Sequence, residues 1–173
     1  MSVRETSTAH DPDSAHVYGV PVISRPEERE RVGYYGSELA IALRAAETGG
    51  QFYIHVTELS PADAPPLHVH TREDEIWFIE SGTFRFWIGG TSLATAKVHD
   101  VGPGAIVYGP RNVAHTFQSV DGTGKVAVVV SPAESENYFR AVGSSEMRED
   151  FDHVERLEQY GIHVLDRAPV DGA

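Results

Sequence analysis

Two stretches of the sequence carry side chains that could bind a metal ion together. The first contains His68, His70 and Glu75, and the second contains His115. Residues two apart in a strand point to the same face, so His68 and His70 present their imidazoles side by side. If both stretches face into one barrel, three neutral imidazoles and one carboxylate converge. Such a set suits one divalent transition metal (Fe, Mn, Ni, Co or Zn) and leaves one or two positions for water or substrate.

Glu75 belongs to the acidic run Glu73-Asp74-Glu75, and each of the other two carboxylates could in principle be the metal ligand instead. Asp74 lies one residue before Glu75 and would point to the other face of the strand. Glu73 would point to the same face as Glu75, but it lies in the loop. It is also too far from Gly82 to fit the spacing of six intervening residues that Glu75 has. Glu75 is therefore the predicted ligand.

The segment between residues 17 and 132 is predicted to form one all-β barrel. Apolar and polar residues alternate there in short runs separated by Gly, Pro, Asn and Asp, a pattern typical of antiparallel strands. Runs at 39–43 and 52–56 flank a turn and predict a hairpin. A loop with three prolines follows at 61–66. The later predicted strands are HVH, EIWFIE, TFRFWI, TSLATAKV, GPGAIVYGP, AHTFQSV and KVAVVV.

The two ends of the chain differ from the barrel. Residues 1–16 are polar and without periodicity, and we expect a flexible tail there. Residues 133–173 are predicted to form a helical segment, with most of 136–160 in helices. One side of the longer helix carries Met147, Phe151, Val154 and Leu157. Such a helix would either pack on the outside of the barrel or cover its mouth.

Composition excludes several classes of partner and site. The chain has 173 residues, a formal net charge of −12 and no cysteine. The negative charge argues against nucleic acid and anionic membranes as partners, and thiolate metal sites are excluded. The sequence shows no signal-peptide pattern and no apolar run of the length of a membrane span, so we expect a cytoplasmic protein.

Aromatic residues on the predicted inner faces could form a substrate pocket. Trp77 shares a face with Glu75, and Phe117 shares one with His115. Phe84 and Phe86 alternate with polar Arg85 and should also point inward. These four side chains are either barrel core or the lining of an apolar pocket for an aromatic substrate.

The two ligand-bearing stretches resemble the two motifs of the cupin superfamily. "PPLHVHTREDEIWFIESG" is similar to the first motif and "GPGAIVYGPRNVAHTFQS" to the second. The resemblance implies a double-stranded β-helix, or jelly-roll barrel, with His68, His70, Glu75 and His115 as metal ligands. The chain departs from the family pattern at three positions outside the ligand set, Ala62, Asn112 and Ser119. Asn tolerates the left-handed conformation best after Gly, so the turn at Asn112 should survive.

The length, single motif pair and helical tail look most similar to monocupins of the quercetin dioxygenase type. That resemblance implies a small-molecule substrate, O2 as co-substrate, and Glu75 as both ligand and acid/base. The alternatives are a non-redox metal enzyme, such as a polyketide cyclase or isomerase, and a ligand-binding sensor without turnover. Ile76 and Phe78 are apolar on the face opposite Glu75, so either the strands of 39–56 or a second subunit should cover them. We expect a homodimer.

Overall fold

The computed structural model describes residues 18–34, 37–143 and 157–169. The predicted tail at 1–16 lies outside these residues, as does most of the predicted long helix, including Met147, Phe151 and Val154. The strands are β1 (Glu30–Tyr34), β2 (Ser37–Leu43), β3 (Tyr53–Leu59), β4 (Leu67–His70), β5 (Asp74–Ser81), β6 (Phe84–Ile88), β7 (Lys97–Val101), β8 (Ile106–Gly109), β9 (His115–Ser119), β10 (Gly124–Ser131) and β11 (Ile162–Asp166). The helices are α1 (Ala45–Thr48) and α2 (Glu136–Gly143). None of the helices in the described residues is long and apolar enough to cross a membrane.

The strands form two antiparallel sheets that share one core. One sheet has the order β1-β2-β3-β10-β5-β8, and the other has the order β11-β4-β9-β6-β7. Strand β10 shows the reason for this packing, because Val126, Val128 and Val130 are buried while the residues between them are not. These valines meet Phe84 and Phe86 of the opposite sheet in one apolar cluster. The predicted all-β jelly roll is confirmed.

The predicted first hairpin is also confirmed. Strands β2 and β3 pair with Leu39 opposite Thr57 and Ile41 opposite His55. The intervening turn contains α1, which ends at Gly49 in the left-handed conformation with φ 64°. The predicted strand TSLATAKV is wrong in its first part. Residues 91–96 form a turn whose backbone N–H groups bond to the Thr95 hydroxyl, and β7 begins only at Lys97.

The C-terminal segment is not helical throughout. Helix α2 is present and buries Tyr138 and Phe139. Residues 162–166, however, form β11, which pairs with β4 and extends the five-stranded sheet. The physical reason is that Ile162 and Val164, two residues apart, face the cavity while Leu165 is 41% exposed, a period of two that suits an edge strand. Within 133–173, the helical prediction is therefore wrong for these five residues.

An apolar patch lies on the outer face of the six-stranded sheet. Phe78 pairs with Ile106, and Ile76 pairs with Tyr108. Phe78, Ile106 and Tyr108 are 40%, 64% and 57% exposed. Strands β1 to β3 do not cover this patch, because they lie in the same sheet on the far side of β10. Of the two covers considered from the sequence, the strands of 39–56 are excluded, and the second subunit stays a prediction.

Candidate metal centre

The four predicted ligands come from both sheets and meet inside the barrel. His68 of β4 lies directly opposite His115 of β9, and their ring centroids are 4.7 Å apart. Glu75 begins the inward-facing row of β5 in the other sheet, where it is followed by Trp77. One ligand atom from each of His68, His70, Glu75 and His115 lies within 4.8 Å of all the others. The packing of the two sheets therefore brings together residues that are far apart in sequence.

Backbone carbonyls fix the orientation of two of the imidazoles. Nδ1 of His68 lies 2.8 Å from the Pro66 carbonyl oxygen, and Nδ1 of His115 lies 3.1 Å from that of Val113. A carbonyl oxygen only accepts, so each Nδ1 must carry the proton and donate it. The Nε2 lone pairs of both rings are then directed toward the centre of the site.

The central atoms are electron-rich and crowded. Nε2 of His68 lies 3.2 Å from Nε2 of His70, and Oε2 of Glu75 lies 2.8 Å from Nε2 of His115 and 3.5 Å from Nε2 of His70. Lone pairs at these separations repel unless a proton or a cation lies between them. Two ligands bonded at about 2.1 Å and at right angles to each other are about 3.0 Å apart. The donor set and its spacing therefore fit one divalent metal ion.

The electrostatics of the site favour a neutral His68 and an ionised Glu75, the states in which these two side chains can bind a metal. Burial, and then the charges of His115 and His70, lower the pKa of His68 to about 3. Burial opposes protonation of His70 as well, but Glu75 and Glu73 outweigh it and raise the His70 pKa. Burial would raise the pKa of Glu75, yet the neighbouring His70 and His115 hold it well below its usual range. An ionised carboxylate thus lies beside a neutral His68 at neutral pH.

The loop before β9 is held in place by residues that are not ligands. Asp74 accepts hydrogen bonds from the Arg111 backbone N–H at 2.8 Å and from its guanidinium at 3.0 and 3.1 Å. This agrees with the prediction that Asp74 points away from the metal. Asn112 adopts φ 64°, as expected for a residue that replaces glycine there, and donates its N–H to the His70 carbonyl at 2.7 Å. The turn that carries His115 is thereby tied to the strand that carries His70.

Gly109 allows a tight contact beside the site. A Cβ atom at Gly109 would lie 2.8 Å from the Trp77 ring and 3.4 Å from Nδ1 of His115. Without a side chain there, the Trp77 ring packs edge-on against His115 with centroids 5.0 Å apart. Glycine at this position therefore lets the Trp77 indole support a ligand ring.

The ligand cluster opens onto a cavity of about 400 Å³. Most of its lining is aliphatic or aromatic and comes from both sheets, from α2 and from the C-terminal segment. Trp77 and Phe117 line it, as predicted for a pocket. Phe84 and Phe86 do not, which corrects that part of the prediction. Phe86 is stacked on Phe117 and lies edge-on to Trp77, and Phe84 is fully buried against Gly124.

Part of the sequence and the fold are similar to those of known proteins. Residues 55–132 match the family model described as the cupin domain. The two antiparallel sheets around the ligand cluster are the cupin double-stranded β-helix. Among curated protein sequences, none matches this chain.

Several solved structures share this cupin fold. KdgF from Halomonas sp. is 16% identical, covering 63% of this chain and 91% of its own, with a TM-score of 0.53. The FeII form of HppE is 20% identical, covering 72% of this chain and 63% of its own, with a TM-score of 0.55. Pac13, described as a nucleoside dehydratase, is 15% identical, covering 66% and 85%, with a TM-score of 0.50. At these identities the likeness shows the fold alone.

The cupin barrel also contains polar cavity residues that the sequence did not reveal. His55 lines the cavity and is 5% exposed. Its ring packs against Phe139 and Tyr53 at 4.9 and 5.3 Å, and its Nδ1 is buried without a hydrogen bond in the described residues. Tyr34 and Tyr138, which share a hydrogen bond, line the same cavity. The sequence did contain one signal for this position. His55 lies two residues after Tyr53, so both side chains point to the inner face of β3.

The described parts of the C-terminal segment contribute side chains to the cavity. Tyr138 and Phe139 of α2, Leu157, and Ile162 and Val164 of β11 all line it. The described parts of the segment therefore form one wall of the cavity.

Proposed function

We propose that this chain is a metal-dependent enzyme, a dioxygenase acting on a small aromatic or enolic substrate with a hydroxyl next to a carbonyl. The observation that carries the proposal is the cluster of His68, His70, Glu75 and His115, three of whose members, His68, His70 and Glu75, line a largely apolar cavity. A cavity of about 400 Å³ lies in the range that small molecules occupy. The resemblance of the chain's length, single motif pair and C-terminal tail to monocupins of the quercetin dioxygenase type supports the reaction class.

In this proposal some residues bind the metal and others contact the substrate or accept its proton. A divalent metal bound by the three histidines and Glu75 would supply a Lewis acid that lowers the pKa of a substrate hydroxyl and polarises its carbonyl. Glu75 would accept the hydroxyl proton, because its carboxylate is ionised and lies within the ligand cluster. Trp77 and Phe117 would contact the flat face or edge of an aromatic substrate.

Metal analysis followed by oxygen uptake tests the proposal. The purified protein is stripped, reloaded separately with Fe(II), Mn(II), Co(II), Ni(II) or Zn(II), and assayed with flavonols and other hydroxy-carbonyl compounds. We expect at least one redox-capable metal to give stoichiometric O2 consumption with loss of substrate. Substrate loss that proceeds equally without O2 would contradict the dioxygenase. Tight substrate binding without product under all conditions would indicate a sensor.

One observation favours a non-redox reaction as the second candidate. His55 and the hydrogen-bonded pair Tyr34 and Tyr138 place proton donors and acceptors in the same cavity as Glu75. A cyclase, isomerase or dehydratase would use such groups together with a Lewis-acidic metal. Pac13 is a structural relative that carries the description of a dehydratase. Full activity of the Zn(II) form under anaerobic conditions would select this candidate.

A further inference from the structure

Glu73 is a buried carboxylate outside the predicted ligand set. It lies between β4 and β5, is 1% exposed, and has no hydrogen bond to either carboxylate oxygen in the described part of the chain. Its nearest ionisable partner is His70, whose Nδ1 lies 3.4 Å from Glu73 Oε2. The neighbouring cation Arg111 pairs with Asp74 instead. Among the residues that the structure describes, Glu73 therefore has one partner within 4.0 Å, and that partner is a predicted metal ligand.

His70 differs from the other two histidines in what lies behind its ring. His68 and His115 each donate Nδ1–H to a backbone carbonyl. Nδ1 of His70 is buried and has no hydrogen bond in the described residues, and only the Glu73 carboxylate faces it. A separation of 3.4 Å is longer than a well-formed N–H···O bond, so a small approach of the two side chains would complete it.

Charge balance gives a reason for a carboxylate at this position. A buried carboxylate without a partner is costly and is found where a positive charge compensates for it. One divalent cation at the ligand cluster would be neutralised by Glu75 directly and by Glu73 through the His70 ring. A carboxylate behind a ligand histidine also fixes its tautomer and strengthens it as a donor.

We propose that Glu73 is a positioning residue for the metal, accepting Nδ1–H from His70 and directing the His70 Nε2 lone pair to the ion. The inference rests on the metal site of the proposed function, but not on the reaction catalysed. It assigns different roles to the two carboxylates of the acidic run, with Glu75 contacting the metal and Glu73 acting through His70.

The test measures Zn(II) affinity by chelator competition in the full-length chain, in parallel with folding of the metal-free protein. Glu73→Gln keeps the size and one accepting oxygen but loses the charge, and Glu73→Ala removes the acceptor. Glu80→Gln is the matched control, since Glu80 is an exposed carboxylate of β5 that pairs with Lys125. We expect Zn(II) affinity to fall about 10–100-fold in Glu73→Gln and at least as far in Glu73→Ala, with no change in the control.

A second readout separates positioning from simple packing. In the Zn(II)-loaded protein, NMR of the ring nitrogens should show His70 as the Nδ1–H tautomer. The signal of that proton should shift in Glu73→Gln and be lost to exchange in Glu73→Ala. The metal-free Glu73→Gln protein should be no less stable than the wild type, because Glu73 makes no hydrogen bond in the described residues and the substitution removes a buried charge.

The experiment distinguishes failure of the role assigned to Glu73 from failure of the metal site. Unchanged affinity in Glu73→Gln and Glu73→Ala, with a wild type that binds Zn(II) tightly, would overturn the role of Glu73 and leave the metal site standing. Loss of affinity only in proportion to loss of metal-free stability would also overturn it in favour of packing. A wild type that binds none of the divalent metals would refute the proposed metal site itself, and this inference with it.

Discussion

Replacement of His55 should change how the stability of the protein depends on pH. Burial lowers the pKa of His55 from its ordinary 6.5 to about 4, although the charge of Glu75 acts in the opposite direction. Because the folded-state value is the lower one, the unfolded chain binds more protons between pH 4 and 6.5. His55 therefore reduces stability as the pH falls through this window and has little effect above it.

The size of the effect follows from the two pKa values. One pKa unit corresponds to about 1.4 kcal/mol, so the full separation corresponds to about 3 kcal/mol. Between pH 6.5 and pH 4.5 the loss from His55 should be about 2 kcal/mol. In His55→Phe, which keeps an aromatic ring against Tyr53 and Phe139, this part of the pH dependence disappears.

Urea unfolding of the metal-free proteins at several pH values, followed by circular dichroism, measures this directly. The quantity of interest is the difference in unfolding free energy between wild type and variant, since the other titrating groups are present in both. That difference should change by about 2 kcal/mol in favour of the variant from pH 6.5 to pH 4.5. The matched control His99→Phe makes the same substitution at an exposed site on β7. A difference for His55→Phe that does not change with pH would refute the assignment of His55 as a buried neutral histidine.

Three other predictions concern the site and the surface. Glu75→Gln, reloaded with metal and assayed per bound ion, should bind substrate but turn over about 10²–10⁴-fold more slowly, and equal turnover would leave Glu75 as a ligand only. Gly109→Ala should be destabilised by about 1–3 kcal/mol and bind metal more weakly, because its Cβ would press on the Trp77 ring, and an unchanged melting temperature and affinity would count against that contact. Light scattering should give the mass of a homodimer, and Ile106→Glu should give a monomer, because a charge is then placed in the exposed patch around Phe78. A wild-type monomer, or a dimer that survives Ile106→Glu, would mean that no second subunit covers the patch.

The residues of the candidate metal centre could be predicted from sequence because face and spacing along a strand are local properties. His68 and His70 share a face by their separation alone, and the two motifs fix how Glu75 and His115 are placed. The left-handed turn at Asn112 was likewise predictable, since few side chains tolerate that conformation. The barrel followed from the alternation of the strands between these motifs.

What could not be predicted depends on distances between separate segments. Parity predicts that Phe84 and Phe86 point inward, but only the packing of the two sheets shows that they lie in the core instead of the cavity. Glu73 was weighed as a rival ligand, and its position behind His70 depends on how the chain turns between β4 and β5. Strand β11 was missed because a pairing with β4 across some ninety residues has no local signal beyond a short alternation.

The most direct test of the metal centre is an anomalous-diffraction measurement on crystals of the protein loaded with Co(II) or Zn(II). One peak per chain is predicted, within about 2.0–2.4 Å of Nε2 of His68, His70 and His115 and of a Glu75 carboxylate oxygen. No peak at this position after loading, or a peak at other residues, would contradict the central claim that these four side chains bind a metal ion.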